Sequence, residues 1–270
     1  IATVFMVVPV LAPTIGQTIL LVADWRSIFG VMFTMGVIMF LWVYLRLAET
    51  MDPENRQSLD VKRVARNFRI IVTNRDAVGY VLGATLVFGG LYGYINCSEQ
   101  LVAVHFGLGE KFAYVFGGMA LCMAGSNFIN SRIVETHGAR RVSHSALLVF
   151  VFTGGLQWAA ATYYPDAFWL FAPIMTVNLA LIGFLGANFS SIALQPFQHF
   201  AGSASSLQTA MRVGGGAVLG AIVGAAYDGT ARPLGMALFG LSLAGLLLIL
   251  YSERGRLFRR RKGTIPQVEK

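Results

Sequence analysis

An arginine lies inside an apolar run of this sequence, within the stretch GSASSLQTAMRVGGGAVLGAIVG (residues 202–224). Arg212 stays charged at physiological pH, so it cannot relay a proton, but it can bind an anionic or polar group. Gln208 precedes Arg212 by one helical turn and shares its helix face. The pair therefore indicates a substrate contact in apolar surroundings. The alternative is that Arg212 extends toward the nearest aqueous surface.

A second polar face runs along GATLVFGGLYGYINCSEQ (residues 83–100), where Phe88, Tyr92 and Asn96 recur every four residues. Apolar walls with a few polar groups are typical of small-molecule sites. We therefore predict that four residues line a substrate path: Tyr92, Asn96, Gln208 and Arg212. The alternative for the amides, and for the apolar-run residues Asn178 and Asn188, is hydrogen bonding that holds helices together.

Other chemistry is poorly supported by the residue pattern. The four histidines and two cysteines (His105, His137, His144, His199, Cys97 and Cys122) show no metal-ligand spacing. No phosphate-binding loop or nucleophile motif is present in the sequence. We expect no enzyme activity, no metal and no cofactor.

The composition indicates that lipid is the solvent of this chain. Hydrophobic residues make up 56% of the 270 residues and charged residues only 13%, against about 25% charged in soluble domains. The net charge of +8 would suit nucleic acid. However, its lysines and arginines cluster between apolar runs, which is typical of membrane topology, so no nucleic-acid partner is expected.

Eight apolar runs are long enough to cross a bilayer as helices. They predict an all-α integral membrane protein with spans at residues 3–22, 27–46, 77–97, 112–130, 144–163, 167–193, 204–226 and 233–251. Most basic residues fall in segments 48–76 and 131–143 and in the tail. By the positive-inside rule these segments are cytoplasmic, and so is the C-terminus.

The polar segment 48–76 divides the chain into two spans and six. We predict four parts: helices in 1–47, a cytoplasmic linker in 48–76, a six-helix bundle in 77–251 and a basic tail in 252–270. An amphipathic helix from Val61 to Ile71 is expected in the linker.

Several stretches together resemble the major facilitator superfamily, and within it the Bcr/CflA-type drug-resistance transporters. They are VVPVLAPTIGQTILL (7–21), DWRSIF (24–29), ETMDPENR (49–56) and the glycine-rich stretch 202–224. In the first, Ala12, Pro13 and Gly16 match the antiporter motif of the family's fifth span, while Val8 and Gln17 depart from it. The resemblance implies that this bent, small-residue helix seals a leak path. Ordinary helix packing is the alternative.

A further match is SRIVETHGARR (131–141), which is similar to the superfamily's loop motif. Glu135, Gly138, Arg140 and Arg141 fit it, whereas Ser131, Thr136 and Ala139 depart. Gly216, Gly220 and Gly224 form a small-residue ridge, which predicts close helix packing.

The resemblance implies that the eight spans are numbers five to twelve of a twelve-span fold, so that this chain is a fragment lacking the first four. It also implies drug:proton antiport by alternating access in a bacterial inner membrane, with small-molecule substrate, protons and lipid as partners and a monomer as the full-length unit. The proton-carrying acid is expected in the missing spans, because no Asp or Glu lies deep in a span here. The alternatives are an importer or facilitator on the same fold, or a non-transporting scaffold.

Overall fold

The structure is a computed structural model, and it describes residues 15–16, 18–47 and 61–258. Within those ranges the backbone is helical and contains no β-strand. The chain divides into two compact units, Ile1–Ala65 and Arg66–Lys270. Most of the predicted span 3–22 lies outside the described residues, although residues 15–16 and 18–22 are helical.

The first unit contains helix α1 (Arg26–Arg46), which has no buried residue. Its side chains are nevertheless almost all apolar, and large ones such as Phe33, Phe40 and Trp42 are exposed. An aqueous surface does not carry apolar side chains around a whole helix, whereas a lipid-facing or partner-facing surface does. This helix corresponds to the predicted span 27–46.

Helix α2 (Val61–Thr73) follows and crosses the boundary between the two units. It matches the amphipathic helix predicted from Val61 to Ile71 and extends two residues further. Ile71 is only 2% exposed and belongs to the core, while Phe68, Arg69 and Ile70 are exposed.

The second unit is a bundle of long helices. They are α3 (Arg75–Glu99, continued by a π-helical turn at Gln100–His105), α4 (Phe112–His137), α5 (Ala139–Tyr163), α6 (Phe168–Leu194), α7 (Ala201–Ala210), α8 (Gly216–Ala225) and α9 (Arg232–Ser252). A π-helical segment, Met211–Gly215, joins α7 to α8. A short 3₁₀ segment, Gln195–Phe200, precedes α7.

Local sequence explains where several helices begin and end. The Asn74 side chain caps α3 by accepting a hydrogen bond from Ala77 N at 3.2 Å. Gly138 separates α4 from α5 with φ +82°, a conformation that favours glycine. Pro233 stands in the first turn of α9, where the missing N–H leaves no helical hydrogen bond unmade.

Helix α3 lies at the centre of the bundle. It packs most extensively against α8 and α9, and it also contacts α6 and the π segment. The core is built largely from apolar side chains on α3, α5 and α6, and Tyr80, Phe150, Ile182, Leu185 and Phe189 are at most 1% exposed. Apolar side chains also cover the outside, as at Phe152, Trp169 and Leu247.

Six helical segments in the described ranges are long and apolar enough to cross a membrane. They coincide with six of the predicted spans: 27–46, 77–97, 112–130, 144–163, 167–193 and 233–251. Helix α4 runs seven residues past its predicted end at 130. The predicted span 204–226 is helical from Ala201 to Ala225 but is not among the six, and it contains Gln208, Arg212 and several serines. The protein is an all-α, multi-pass membrane protein.

Candidate substrate and gating sites

Arg212 lies within the π segment that interrupts the helical run from α7 to α8. Its guanidinium carbon is 4.8 Å from the ring centroid of Phe88 on α3, a cation–π distance. Its Nη1 donates a long hydrogen bond of 3.4 Å to Ser190 Oγ on α6. Single π-helical turns inside α-helices are frequent at functional sites. Arg212 is therefore a half-buried cation on the π segment that contacts both α3 and α6.

Two hydrogen-bond donors at this place have no partner among the described residues. Arg212 Nε and Gln208 Nε2 are both buried, and neither makes a hydrogen bond to any other described residue. Gln208 itself is only 4% exposed. A buried donor without an acceptor costs about 1–3 kcal/mol. The two side chains thus offer unused donors one helical turn apart.

The other two predicted path residues, Tyr92 and Asn96, lie on the face of α3 that packs against the glycine ridge. A Cβ added to Gly216 would stand 3.1 Å from Tyr92 Cδ2, and one added to Gly224 would stand 3.1 Å from Asn96 Cβ. A Cβ at Gly220 would overlap Tyr92 itself. The close packing predicted for this ridge is confirmed.

The four predicted path residues do not form one compact cluster. Phe88, in contact with Arg212, has its ring centroid 6.4 Å from that of Tyr92. Asn96 follows Phe88 by two turns of α3, or about 12 Å along the axis. Tyr92 is half-buried and Asn96 is exposed. The structure brings Arg212 together with Phe88 and Ser190, two residues that the sequence reasoning had not assigned to the site.

The antiporter motif is only partly covered by the structure. Ala12 and Pro13 lie outside the described residues, whereas Gly16 is helical. A Cβ added to Gly16 would meet nothing within 4 Å. The leak-sealing role of this motif stays a prediction.

The loop motif lies at the junction of α4 and α5, where Arg140 makes its principal contacts. Arg140 Nε donates to Glu253 Oε1 at 3.0 Å, and Nη1 donates to Gln195 Oε1 at 3.1 Å. Gly138 supplies the turn described above, while Glu135 and Arg141 are exposed. The motif therefore ties the start of α5 to the residues that follow α6 and α9.

Glu253 also accepts a hydrogen bond from the Tyr80 hydroxyl at 2.6 Å, and Tyr80 Oη lies 2.9 Å from His144 Nε2. The backbone N–H of Phe258 donates to His144 Nδ1 at 3.0 Å. Because Nδ1 accepts, Nε2 of the neutral imidazole carries the proton and donates to Tyr80. The chain of donors then runs in one direction, from Phe258 through His144 and Tyr80 to Glu253.

Tyr80, His144 and Glu253 were missed as site residues. The sequence carried no spacing signal for them, because 113 residues separate Arg140 from Glu253 and 173 separate Tyr80 from Glu253. We refer to Arg140, Glu253, Tyr80 and His144 as the basic-end network.

The buried amides hold helices together in two cases. Asn188 Nδ2 on α6 donates to Asn130 Oδ1 on α4 at 2.9 Å. Thr153 Oγ1 on α5 donates to Asn178 Oδ1 on α6 at 2.6 Å. These contacts match the helix-joining alternative for Asn178 and Asn188.

A further buried amide, Gln157 on α5, is 0% exposed, and within the part of the chain that the structure describes neither of its side-chain polar atoms makes a hydrogen bond. It lies at a narrow surface indentation that Tyr164, Phe171 and Ala231 also line. The described residues contain no group of three or more His, Cys, Asp or Glu side chains able to hold a metal ion.

Comparison with known proteins places these features in a family context. A sequence profile described as Major Facilitator Superfamily matches residues 1–221. A bicyclomycin resistance protein homolog of Haemophilus influenzae is 30% identical over 236 residues, which cover 87% of this chain and 59% of that protein.

Two further relatives come from other bacteria. An uncharacterized MFS-type transporter, YdgK of Bacillus subtilis, is 26% identical over 89% of this chain and 60% of its own length. The multidrug resistance protein MdtL of Salmonella heidelberg is 30% identical over 90% of this chain and 60% of its own length. The chain thus spans about three fifths of the length of the relatives it matches.

Proposed function

This chain belongs to the major facilitator superfamily, and from that premise we propose that it forms part of a drug:proton antiporter. The transporter exports small, mainly hydrophobic compounds and is driven by proton entry. Relatives named for bicyclomycin resistance and multidrug resistance align with most of this chain and support the drug class.

The observation that carries the transport role is Arg212. It is a half-buried cation within a helical run that the sequence places in the membrane, and its Nε has no partner among the described residues. Ionisable residues inside membrane segments cost about 2.5–3.5 kcal/mol on insertion scales and mark substrate or ion paths.

The proposed architecture numbers the helices as spans five to twelve of twelve. Segment 48–76 links two six-span halves, which rock about a central site to give alternating access. Tyr92, Asn96, Gln208 and Arg212 line the substrate path. Ala12, Pro13 and Gly16 seal the outward leak path, and Glu135, Gly138, Arg140 and Arg141 shape the cytoplasmic loop. The acid that carries the proton belongs to the other half.

The proposed setting is a bacterial inner membrane with the C-terminus in the cytoplasm. The excess of arginine and lysine in 48–76, 131–143 and the tail supports this orientation. The protein acts as a monomer and not as an enzyme, in keeping with its family of transporters.

A resistance assay tests the proposal. The full coding sequence that contains this chain is expressed in a bacterium lacking its own drug exporters, and growth is scored against a panel of hydrophobic drugs. We expect resistance that disappears when an uncoupler collapses the proton gradient. Arg212→Gln should lower resistance to compounds that carry an anionic group, whereas Arg232→Gln, at the exposed start of α9, should not. Heightened sensitivity would favour an importer, and unchanged growth on every compound would favour a non-transporting scaffold.

A further inference from the structure

We propose that Arg212 and Gln208 form a subsite for amphiphilic organic anions, with the carboxylate of the compound bound by the two side chains and its apolar ring against Phe88. This proposal rests on the transport function above and adds the substrate class. It is based on the unpartnered N–H donors of Arg212 and Gln208 and on the positive charge of Arg212, which no described acidic residue neutralises.

The first argument is the type of the unpartnered atoms. Arg212 Nε and Gln208 Nε2 are both N–H donors, and both are buried without an acceptor within the described residues. Each donor needs an acceptor atom, and a carboxylate offers two oxygens that can engage neighbouring donors at once. An ammonium group, which has donors and no acceptor, would leave both groups unsatisfied.

The second argument is charge. Within the described part of the chain Arg212 makes no ion pair, and its polar contact is the hydroxyl of Ser190 at 3.4 Å. An unneutralised guanidinium in low dielectric attracts an anion far more strongly than it would in water. The bound compound would supply the missing negative charge.

The third argument is the shape of the surroundings. The guanidinium lies over the Phe88 ring, with Cζ 4.8 Å from its centroid, and the Phe88 ring also approaches Gly186 of α6. A Cβ at Gly186 would be 2.9 Å from Phe88 Cε2, so the Phe88 ring packs closely against α6. The π segment carries Arg212 beside this ring. An aromatic body next to a carboxylate therefore finds an apolar surface beside the donors.

The probes for the test are indole-3-acetate and its methyl ester, which share a ring and differ in charge. The full-length transporter is reconstituted in vesicles of zwitterionic lipid, and concentration-dependent transport of each probe is measured. We expect Arg212→Gln to raise the half-saturating concentration of the anion by about tenfold or more, as for the loss of a charged hydrogen bond. Gln208→Leu should act in the same direction, and the ester should change less than about twofold in either variant.

Controls separate a substrate contact from a folding role. Arg212→Lys keeps the charge and should retain part of the preference for the anion, while Arg232→Gln changes an exposed arginine outside the proposed substrate path and should have no effect. Equal weakening of both probes in Arg212→Gln would overturn the proposal in favour of helix packing. A loss of thermal stability without any change in anion preference would overturn it in favour of a carboxylate supplied by the protein itself.

Two further arms complete the test. If adding anionic lipid to the vesicles competes with the anion in the wild type and not in Arg212→Gln, the occupant is a lipid headgroup and the solute proposal fails. If the wild type moves ethidium but neither indole probe, the anion class is wrong while the transport function stands. If it moves no compound at all, the transport function itself fails.

Discussion

Arg140 and Glu253 are 113 residues apart in the chain, yet Arg140 Nε lies 3.0 Å from Glu253 Oε1. The two side chains are 16% and 7% exposed, so water competes little for this ion pair. Glu253 shares the same oxygen with the Tyr80 hydroxyl. Glu253, which follows α9, thereby contacts the N-terminal parts of α3 and α5.

Breaking this ion pair should destabilise the bundle. Arg140→Gln leaves Glu253 charged and poorly compensated, and removal of one partner from a buried pair costs up to about 3–5 kcal/mol. Thermal unfolding of the detergent-purified protein should show a clear fall in midpoint. Arg141→Gln is the matched control, because Arg141 is exposed. Equal midpoints for the two variants would show that the pair contributes nothing to stability.

Tyr80→Phe tests the relay between His144 and Glu253. The substitution removes the hydroxyl that bonds both residues and leaves the ring packed against Phe189, whose centroid is 5.5 Å away. We expect a loss of about 1–3 kcal/mol, since Glu253 loses a donor and the His144 N–H loses its acceptor. A double variant with Glu253→Gln should lose less than the sum of the two single losses. Strict additivity in the unfolding midpoints would argue against a coupled network.

A methyl group added to the glycine ridge at Gly220 should destabilise the bundle, and Gly214 on the same helical run provides the control. Gly220→Ala would place a methyl group against Tyr92. The backbone carbonyl carbon of Tyr92 would lie only 2.8 Å from the new Cβ. Overpacking of this kind costs about 1–3 kcal/mol, so folded yield and melting midpoint should both fall. Gly214→Ala adds the same methyl group where nothing lies within 4 Å, and it should behave like the wild type. A tolerated Gly220→Ala would mean that α3 and α8 are further apart.

Gln157→Leu should preserve or raise stability. Both side-chain polar atoms of Gln157 are buried and have no partner in residues 18–47 or 61–258, and an apolar side chain of similar size removes that cost of about 1–3 kcal/mol. Leu156→Ala, on the half-exposed outer surface, serves as a comparison with little expected effect. The melting midpoint is again the measurement. A marked fall in the melting midpoint of Gln157→Leu would show that the Gln157 amide has a hydrogen-bond partner, such as a bound water.

The apolar runs allowed most of the fold to be predicted, since each span needs only length and low polarity to be recognised. Helix α4 contains its predicted span and continues seven residues beyond it. Its polar continuation through Arg132 and Glu135 stays helical until Gly138 ends it, and hydropathy alone cannot detect a helix that leaves the membrane.

The site was harder to predict than the fold. The spacing of Gly216, Gly220 and Gly224 sufficed to predict the ridge, because helical periodicity places them on one face. The π segment at Arg212 was not predicted, since no residue pattern specifies it. Contacts such as Phe88 with Arg212 depend on which helices become neighbours, and that is decided by packing across the whole bundle.

Proton-coupled export is the central claim, and its most direct test is a flux measurement. The full coding sequence containing this chain is expressed, and inside-out membrane vesicles are energised to an acidic interior monitored with a pH-sensitive dye. We expect an exported drug to raise the interior pH as protons leave, in the wild type and in Arg232→Gln, and we expect a smaller rise in Arg212→Gln when the drug is an anion. Drug accumulation without any proton movement would contradict proton-coupled export.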